Sequence, residues 1–560
     1  MQRDPAALSG TTFDVLVIGG GISGAWLALL CARSGYKTAL IEQGDFAGQT
    51  SSASSKLLHG GIRYLQQLQF AKVRESVLER ARYIHAAPHL SHSVPFIVPT
   101  YRDPARSKLF LNCGMLVYRL LCWGENRIIG DPEQQVPGSM SVNAAKLNAI
   151  CDLSEEPHTG GVIFHERHLK NSERMVLSVL QTAHQHGASI QNYVTAVGLS
   201  SDNGAVSGAR VRDILLNQEF DVRSKLTINA AGPWIDKLNG VIDGPRLSQR
   251  ITGFALGAHI ITRQISDHAI AITTRQQADT RLDRGGRHVF IIPWRGFSLI
   301  GTSYEEVGSA EFDPELQVAH VKQLLHAVRE GIPSANLQAD DLVGGFAGYY
   351  PLQTSNIKSH VYQGSGEYQI VDHEAADRRP GLITALGAKF TTARKLAALT
   401  MPLVHSKLKG RLDLDEVKLY DAAYQSEVRL RESAQQRFGE QLPGDIIDHL
   451  VSQYGSNIDE FMVRLGDDET MHARIMEGQP DIFGQLLWAA EREQALHLDD
   501  ALWRRTSLGL LGINSHQLEQ AAAVMAAACG WDAETLQSET EICRKRLDQV
   551  REVLTVACDD

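Results

Sequence analysis

Within six residues, His59-Gly60-Gly61-Ile62-Arg63-Tyr64, the chain sets a proton acceptor, a fixed cation and a hydroxyl beside paired glycines. Glycine lets backbone approach a flat ligand, imidazole titrates near neutral pH and guanidinium holds an anion, so the run suits proton removal next to a bound planar group. A second cation, Lys389, follows the apolar run LITAL and Gly387 and precedes a helical pattern beginning near Thr391. Ammonium and helix N-terminus then face whatever gathers negative charge, although a surface lysine is the plain alternative. His259 stands in a strand pattern, GAHIIT, where a histidine is more often structural than catalytic.

These groups need a scaffold, and Phe13 to Glu42 supplies its first part. Asp14 to Ile18 is a short apolar run suited to a buried parallel strand, and Gly19, Gly21 and Gly24 then form G-x-G-x-x-G at the mouth of a helical pattern reaching Cys31 and Ala32. Gly19 permits the tight turn, Gly21 lets a pyrophosphate approach backbone, and Gly24 lets helix and strand pack closely. The helix N-terminus favours the phosphates. A second strand, Lys37 to Ile41, ends in Glu42, the acid that such a unit turns toward an adenosine ribose. A glycine-rich turn alone does not explain Glu42, so a dinucleotide site is expected, without a choice between FAD and NAD.

At 560 residues the chain predicts two to four domains, and 43% hydrophobic with 21% charged residues is an ordinary globular composition. A net charge of -10 argues against a nucleic-acid binder. Seven cysteines, odd in number and without C-x-x-C, read as reduced thiols and no metal site, in a cytoplasmic protein. No signal-peptide core opens the chain and no run of about eighteen apolar residues crosses a membrane. Leu109 to Trp123, LFLNCGMLVYRLLCW, is flanked by Arg106 and Lys108 and is expected to be a buried helix, a lipid-surface helix being the alternative.

Further along, Thr50 to Ser55 is too polar for a core and reads equally as a solvated loop or a ligand edge. Arg74 to His85 and Met175 to His186 are helical, and 187–213 reads as strand, Ser-Asp-Asn-Gly turn and strand. Leu226 to Trp234, LTINAAGPW, runs a buried strand into bare backbone at Ala231 and Gly232. Residues 251–303 alternate short strands with turns, an antiparallel sheet roofing a substrate cavity. Phe346 to Leu352 and Gly387 to Leu396 are read as completing the cofactor domain, and from 405 the chain turns to charge-rich helices.

The run TSSASSKLLHGGIRYL resembles the signature T-S-x-x-S-S-K-L-x-H-G-G-x-R-Y-L of FAD-dependent glycerol-3-phosphate dehydrogenases, members of the amino-acid oxidase-like flavoprotein superfamily. N-A-A-G-P-W, G-A-K-F-T-T-A-R-K-L and R-R-T at Arg504 to Thr506 resemble that family's further segments, so the likeness covers nearly the whole chain. The resemblance selects FAD. It implies an α/β plus α+β fold: a Rossmann-type FAD-binding domain (about 13–87, 160–250 and 340–404) interleaved with an antiparallel-sheet substrate domain (about 88–159 and 251–339) over 1–404, then a helical domain over 405–560 that serves as a cap or interaction unit. Cofactor contacts are implied at Gly19, Gly21, Gly24, Glu42, Ser55, Lys56, Gly60, Gly61, Ala231, Gly232, Gly387, Lys389 and Thr391.

The implied reaction oxidises a secondary alcohol, with hydride passing from carbon to flavin N5 and His59 or His259 taking the hydroxyl proton. Arg63 and Lys389 hold the developing alkoxide or a substrate anion, and Lys389 favours reduction of the ring. Arg63, Tyr64, Tyr304 and Tyr350 are the substrate positions. Electrons leave to a quinone or to oxygen, and peripheral contact with the inner membrane face and a homodimer stay open. Four positions depart from the family: Tyr350 replaces Arg, Leu256 Lys, Tyr304 Asp and Ala388 Gly. Two cations and one anion are thereby missing on the substrate side, so glycerol 3-phosphate stands beside a less anionic or larger alcohol or amine as substrate. A catalytically silent flavoprotein scaffold is the reading from another class.

Overall fold

A computed structural model describes residues 1–151, 157–242, 247–273, 288–352, 368–387 and 389–558. Thr12–Ile18 is buried on both faces, as an inner strand of a parallel sheet must be. It lies between Thr38–Ile41 and Gln218–Asn229, parallel to both; Ser189–Gln191 extends one side, Leu382–Leu386 and antiparallel Gln369–Asp372 the other. Ile18 pairs with Ile41 and with Asn229, and Asn229 with Thr384, so the turns after these strands emerge along one edge. The apolar faces of helices Ile22–Arg33, Ser172–Gln185 and Ala393–Leu408 close one side of the sheet. The predicted strand pair near 187–213 forms a ribbon, Val194–Asp202 with Ala205–Asp213, that continues onto Gln218–Asn229.

The second sheet has ten strands and runs Glu305–Val307, Gly253–Arg263, Phe297–Gly301, His288–Trp294, Ala269–Thr273, Ser91–Tyr101, His158–Leu169 and Leu57–Leu58, with Leu342–Leu352 added on Gly253–Arg263 and Met140–Asn143 on His158–Leu169. It is antiparallel as expected except where Ala269–Thr273 meets Ser91–Tyr101 in parallel. Two segments assigned to the cofactor domain belong here instead. Leu342–Leu352 pairs along the length of Gly253–Arg263, and His158–Leu169 along Ser91–Tyr101. Such pairing joins residues tens of positions apart, which no local pattern displays.

The helix expected to be buried, Lys108–Leu121, is not. Only Met115 and Tyr118 are buried, while Leu109, Phe110, Leu116 and Leu120 face outward and Trp123 just beyond is 79% exposed. Composition suggested a core helix, but spacing puts these apolar side chains on one face and only the opposite face meets the protein. Among the described residues no helix is long and apolar enough to cross a membrane.

From Glu427 to Cys558 the chain is helical. Phe483–Arg492 and Ser515–Cys529 share a core with Ile261, Trp294 and Leu299 of the second sheet. The two arginines of the R-R-T run end a π-helical turn, Asp500–Arg505, buried throughout and capped by Thr506.

Candidate functional site

A cavity of about 1550 Å³ lies between the open edge of the parallel sheet and the second sheet. This exceeds an ordinary small-ligand pocket of roughly 300–1,000 Å³ and leaves room for a cofactor with a substrate. Ligands of parallel sheets bind outside the carboxyl ends of the strands, and the turns after Ile18, Ile41, Asn229 and Leu386 all reach this space.

Gly19, Gly21, Ser23, Glu42, Ala231, Gly232, Gly387 and Thr391 form the wall on that edge. Gly19 has φ +116°, and a Cβ there would come within 2.5 Å of the Ala230 carbonyl oxygen, so the turn admits no side chain. Gly24 lies off the cavity; a Cβ on it would overlap the Gly19 carbonyl, so it serves helix–strand contact as its spacing predicts. The Ile22 N–H donates to Ser51 Oγ at 3.0 Å, bringing the serine-rich loop over the helix N-terminus. Glu42 accepts the Gly20 N–H at 2.6 Å and the Gly44 N–H at 3.0 Å. Burial raises its pKa, and these N–H groups oppose the rise. A carboxylate accepts about four hydrogen bonds, so Glu42 retains capacity toward the cavity. Glycine turn, helix N-terminus and acid fit an adenine dinucleotide.

The reactive groups arrive from three directions. Gly61 starts the short helix Ile62–Gln66, which carries Arg63 and Tyr64 to the cavity, and Lys389 follows the strand Leu382–Leu386. Lys389 Nζ stands 4.1 Å from the centroid of the Tyr64 ring. His59 lies 6.5 Å from the same ring. Burial, then the charges of Lys389, Arg63 and Arg80, push His59 down to about 3. Gly60, expected at the cofactor, faces away: its N–H donates to Glu166 Oε2 at 2.7 Å, and a Cβ there would strike Tyr118 and Arg80. Arg80 pairs with Glu166 and Glu125, all three buried, and fixes the loop from behind.

His259 enters from the second sheet. Its ring stacks on Phe346 at 5.0 Å, Ser55 Oγ lies 2.8 Å from its Nε2, and burial pushes its pKa down to about 3. Both histidines are therefore neutral near neutral pH and both line the cavity. Strand parity sorts the rest. Ala255 pairs with Tyr350, Gly257 with Gly348 and His259 with Phe346, and Tyr350 reaches the cavity on this face. Leu256, one residue out of phase, points into the apolar core beneath the sheet with Ala258 and Ile260 and is 2% exposed. It therefore takes no part in holding a substrate. Tyr304 is likewise off the cavity wall, with its N–H directed to Gln323 at 3.4 Å. Lys56 is buried away from the cavity, its Nζ 2.9 Å from Glu173 and 3.1 Å from Ser172 Oγ. Ala388 lies outside the described residues.

The sequence gives no sign of Phe346 beside His259 or of the Arg80–Glu125–Glu166 group, and it sets the R-R-T run apart from the cofactor side. The structure joins that run to the loop after Glu42: Arg504 and Arg505 both bind Asp45. The only signal was the run of two arginines itself, since Asp45 is some 460 positions distant.

Residues 14–394 match the family described as FAD dependent oxidoreductase, and residues 415–536 match the C-terminal domain of alpha-glycerophosphate oxidase. A glycerol-3-phosphate dehydrogenase of Synechocystis sp. is 28% identical over 100% of this chain and 99% of its own. An alpha-glycerophosphate oxidase of Streptococcus pneumoniae is 33% identical over 72% of this chain and 64% of its own. Among solved structures, the glycerol-3-phosphate dehydrogenase from Bacillus halodurans complexed with FAD superimposes with a TM-score of 0.76 at 25% identity, covering 98% of this chain and 96% of that one.

Proposed function

The chain belongs to the FAD-dependent oxidoreductase family, and from that premise we propose that it oxidises the secondary alcohol of glycerol 3-phosphate to the ketone. FAD bound along the parallel-sheet edge supplies the hydride acceptor. Gly19 and Gly21 accommodate its pyrophosphate, and Glu42 takes its adenosine ribose. Arg63 and Lys389 hold the substrate anion and the oxygen that develops charge, because both cations line one cavity near Tyr64. The hydroxyl proton passes to His259 Nε2 through Ser55 Oγ, which accepts it while giving up its own. His259 suits this better than His59, since a proton on His59 would join three nearby cations, whereas His259 faces Lys56, already paired with Glu173. The observation that carries the reading is the Ser55–His259 pair at 2.8 Å opening on the same cavity as Arg63 and Lys389. Anaerobic mixing with glycerol 3-phosphate should bleach the yellow protein within turnover time, and a flavin that stays oxidised would refute the assignment.

One observation favours a second reading, a less anionic or larger alcohol or amine handled by the same chemistry. Tyr350 reaches the cavity where the family resemblance calls for a guanidinium, so a neutral donor stands in the place of a phosphate clamp. The same mixing experiment, run against a panel of alcohols, hydroxy acids and amines, ranks the two readings by bleaching rate. For the electron acceptor we favour a membrane quinone over oxygen. The helix Lys108–Leu121 turns an apolar face outward and lends Phe110, Leu111 and Met115 to the cavity wall, which supports peripheral contact with a lipid surface. The boundary proposed between the oxidoreductase region and the helical domain is 404/405.

A further inference from the structure

We infer that the C-terminal helical region is a clamp on the cofactor: through Asp45, Arg504 and Arg505 hold the loop that presents Glu42, and so govern how tightly FAD is retained. The geometry is continuous from one end to the other. Glu42 accepts the Gly44 N–H, and the Val194 N–H donates to the Glu42 carbonyl at 2.8 Å. Asp45, the next residue after Gly44, is fully buried on its side chain. Its Oδ2 receives Arg504 Nε at 2.5 Å and Arg505 Nη1 at 2.8 Å, while Oδ1 receives Arg505 Nη2 at 2.8 Å and Asn192 Nδ2 at 3.3 Å. Tyr193, beside Asn192, donates its N–H to the Gly44 carbonyl at 3.1 Å and its hydroxyl to Asp500 at 2.6 Å. The loop is thus held from above and below by the turn Asp500–Arg505.

Arg504 and Arg505 are buried together with Asp45, and each keeps a second carboxylate, Asp500 for Arg504 and Glu493 for Arg505, so Asp45 is the member of the cluster whose charge depends on both guanidinium groups. Glu42 keeps its own backbone bonds to Gln191 and Val194, so loss of the Asp45 contact loosens the turn of 43–45 against which its carboxylate is set. Neither arginine lines the cavity, so both act on the cofactor through Asp45 as positioning residues. A second tie between the same two parts provides the contrast. Arg295, in the turn before Phe297–Gly301, pairs with buried Asp481 and also donates to the Thr506 carbonyl, whereas the Asp481 carboxylate is held, among the described residues, by Arg295 and His449 alone, outside the Asp45 cluster and off the cavity wall.

The test is titration of flavin-stripped protein with FAD, followed by quenching of flavin fluorescence, in the full-length chain. Asp45→Asn should raise the Kd at least about tenfold, and Arg505→Lys, which keeps charge but loses the fork, should raise it by less. Asp481→Asn should lower the melting temperature of the apoprotein yet leave the Kd within about twofold of wild type. An unchanged Kd in Asp45→Asn, or an equal rise in Asp481→Asn, overturns the clamp. Should Asp45→Asn fail to fold, hydrogen exchange on the wild-type chain decides. Adding FAD to apoprotein should slow exchange of the amides of 501–506, which line no part of the cavity, and no slowing overturns the proposal. The inference rests on Glu42 as the ribose acid, and Glu42→Ala separates the two. No loss of affinity there overturns that reading and the clamp with it, whereas a loss there with none in Asp45→Asn overturns the clamp alone.

Discussion

Along the parallel-sheet edge the cavity wall is mostly backbone: glycine turns after Ile18 and Leu386, Ala231 and Gly232 after Asn229, and one acid, Glu42. Across from it the wall is side chains, His259 and Tyr350 from two neighbouring strands of the second sheet, with Arg63, Tyr64 and Lys389 between the two. A backbone wall tolerates few residue types, because a Cβ at Gly19 collides with the Ala230 carbonyl just past the end of the neighbouring strand. A side-chain wall changes its chemistry with one substitution and keeps its fold. A common cofactor is therefore compatible with a substrate end that varies.

The comparison is broken most severely by Gly21→Asp, which puts bulk and negative charge where the pyrophosphate approaches. The purified protein should be colourless, with no flavin released on denaturation; normal flavin content would show that the backbone wall does not hold the cofactor. His259→Gln should keep FAD but slow flavin bleaching by substrate by about a hundred- to ten-thousandfold, the range for loss of a positioned base. An unchanged rate would transfer the role to His59. The same variant has a stability readout. His259 titrates at about 3 in the folded chain and near 6.5 when unfolded. Its contribution is complete above the unfolded value and is lost as pH falls from there toward 3, by up to about 1.4 kcal/mol per pH unit. The slope of unfolding free energy against pH in that window should be shallower in His259→Gln.

Tyr350→Arg sharpens the contrast on the substrate side. A restored charge-assisted hydrogen bond worth about 1.5–3 kcal/mol should raise kcat/KM for glycerol 3-phosphate about ten- to hundredfold. Adding Leu256→Lys should give no further gain and should destabilise the chain, because that side chain enters the apolar core. Synergy between the two would mean that the strand pairing is read in the wrong phase. The smallest effect is expected for Lys389→Met, which should keep fold and FAD while lowering the flavin midpoint potential; a potential equal to wild type would place Lys389 away from the ring.

The contrast also explains what could be read in advance. Strand, glycines, helix, second strand and Glu42 fall within thirty consecutive residues, and each has a local reason, so that unit was legible whole. His59, Arg63 and Tyr64 likewise stand in one short run, and all three line the cavity. Lys56 sits in the same motif, yet its partner Glu173 is 117 residues away and turns it into the core. Gly60 looked like a ligand contact because a glycine does not announce which neighbour it makes room for. Leu256 and Tyr350 looked like one rebuilt subsite until strand pairing placed them on opposite faces of a sheet. The exposed face of Lys108–Leu121 was hidden by composition, since an apolar helix reads alike whether protein or another medium covers it.

The parallel sheet draws neighbouring strands from Thr12–Ile18, Gln218–Asn229 and Leu382–Leu386, with the second sheet threaded between them in sequence. During synthesis the first strand leaves the ribosome long before its central partner exists, and the edge that holds Gly387 comes later still. A nascent chain stopped before Leu382 carries the dinucleotide motif but leaves Thr227, Ile228 and Asn229 without their partner strand, an open edge of the kind that invites aggregation. Cofactor capture should therefore come late in the life of the chain, and chaperone demand should fall once the last parallel strand has been made.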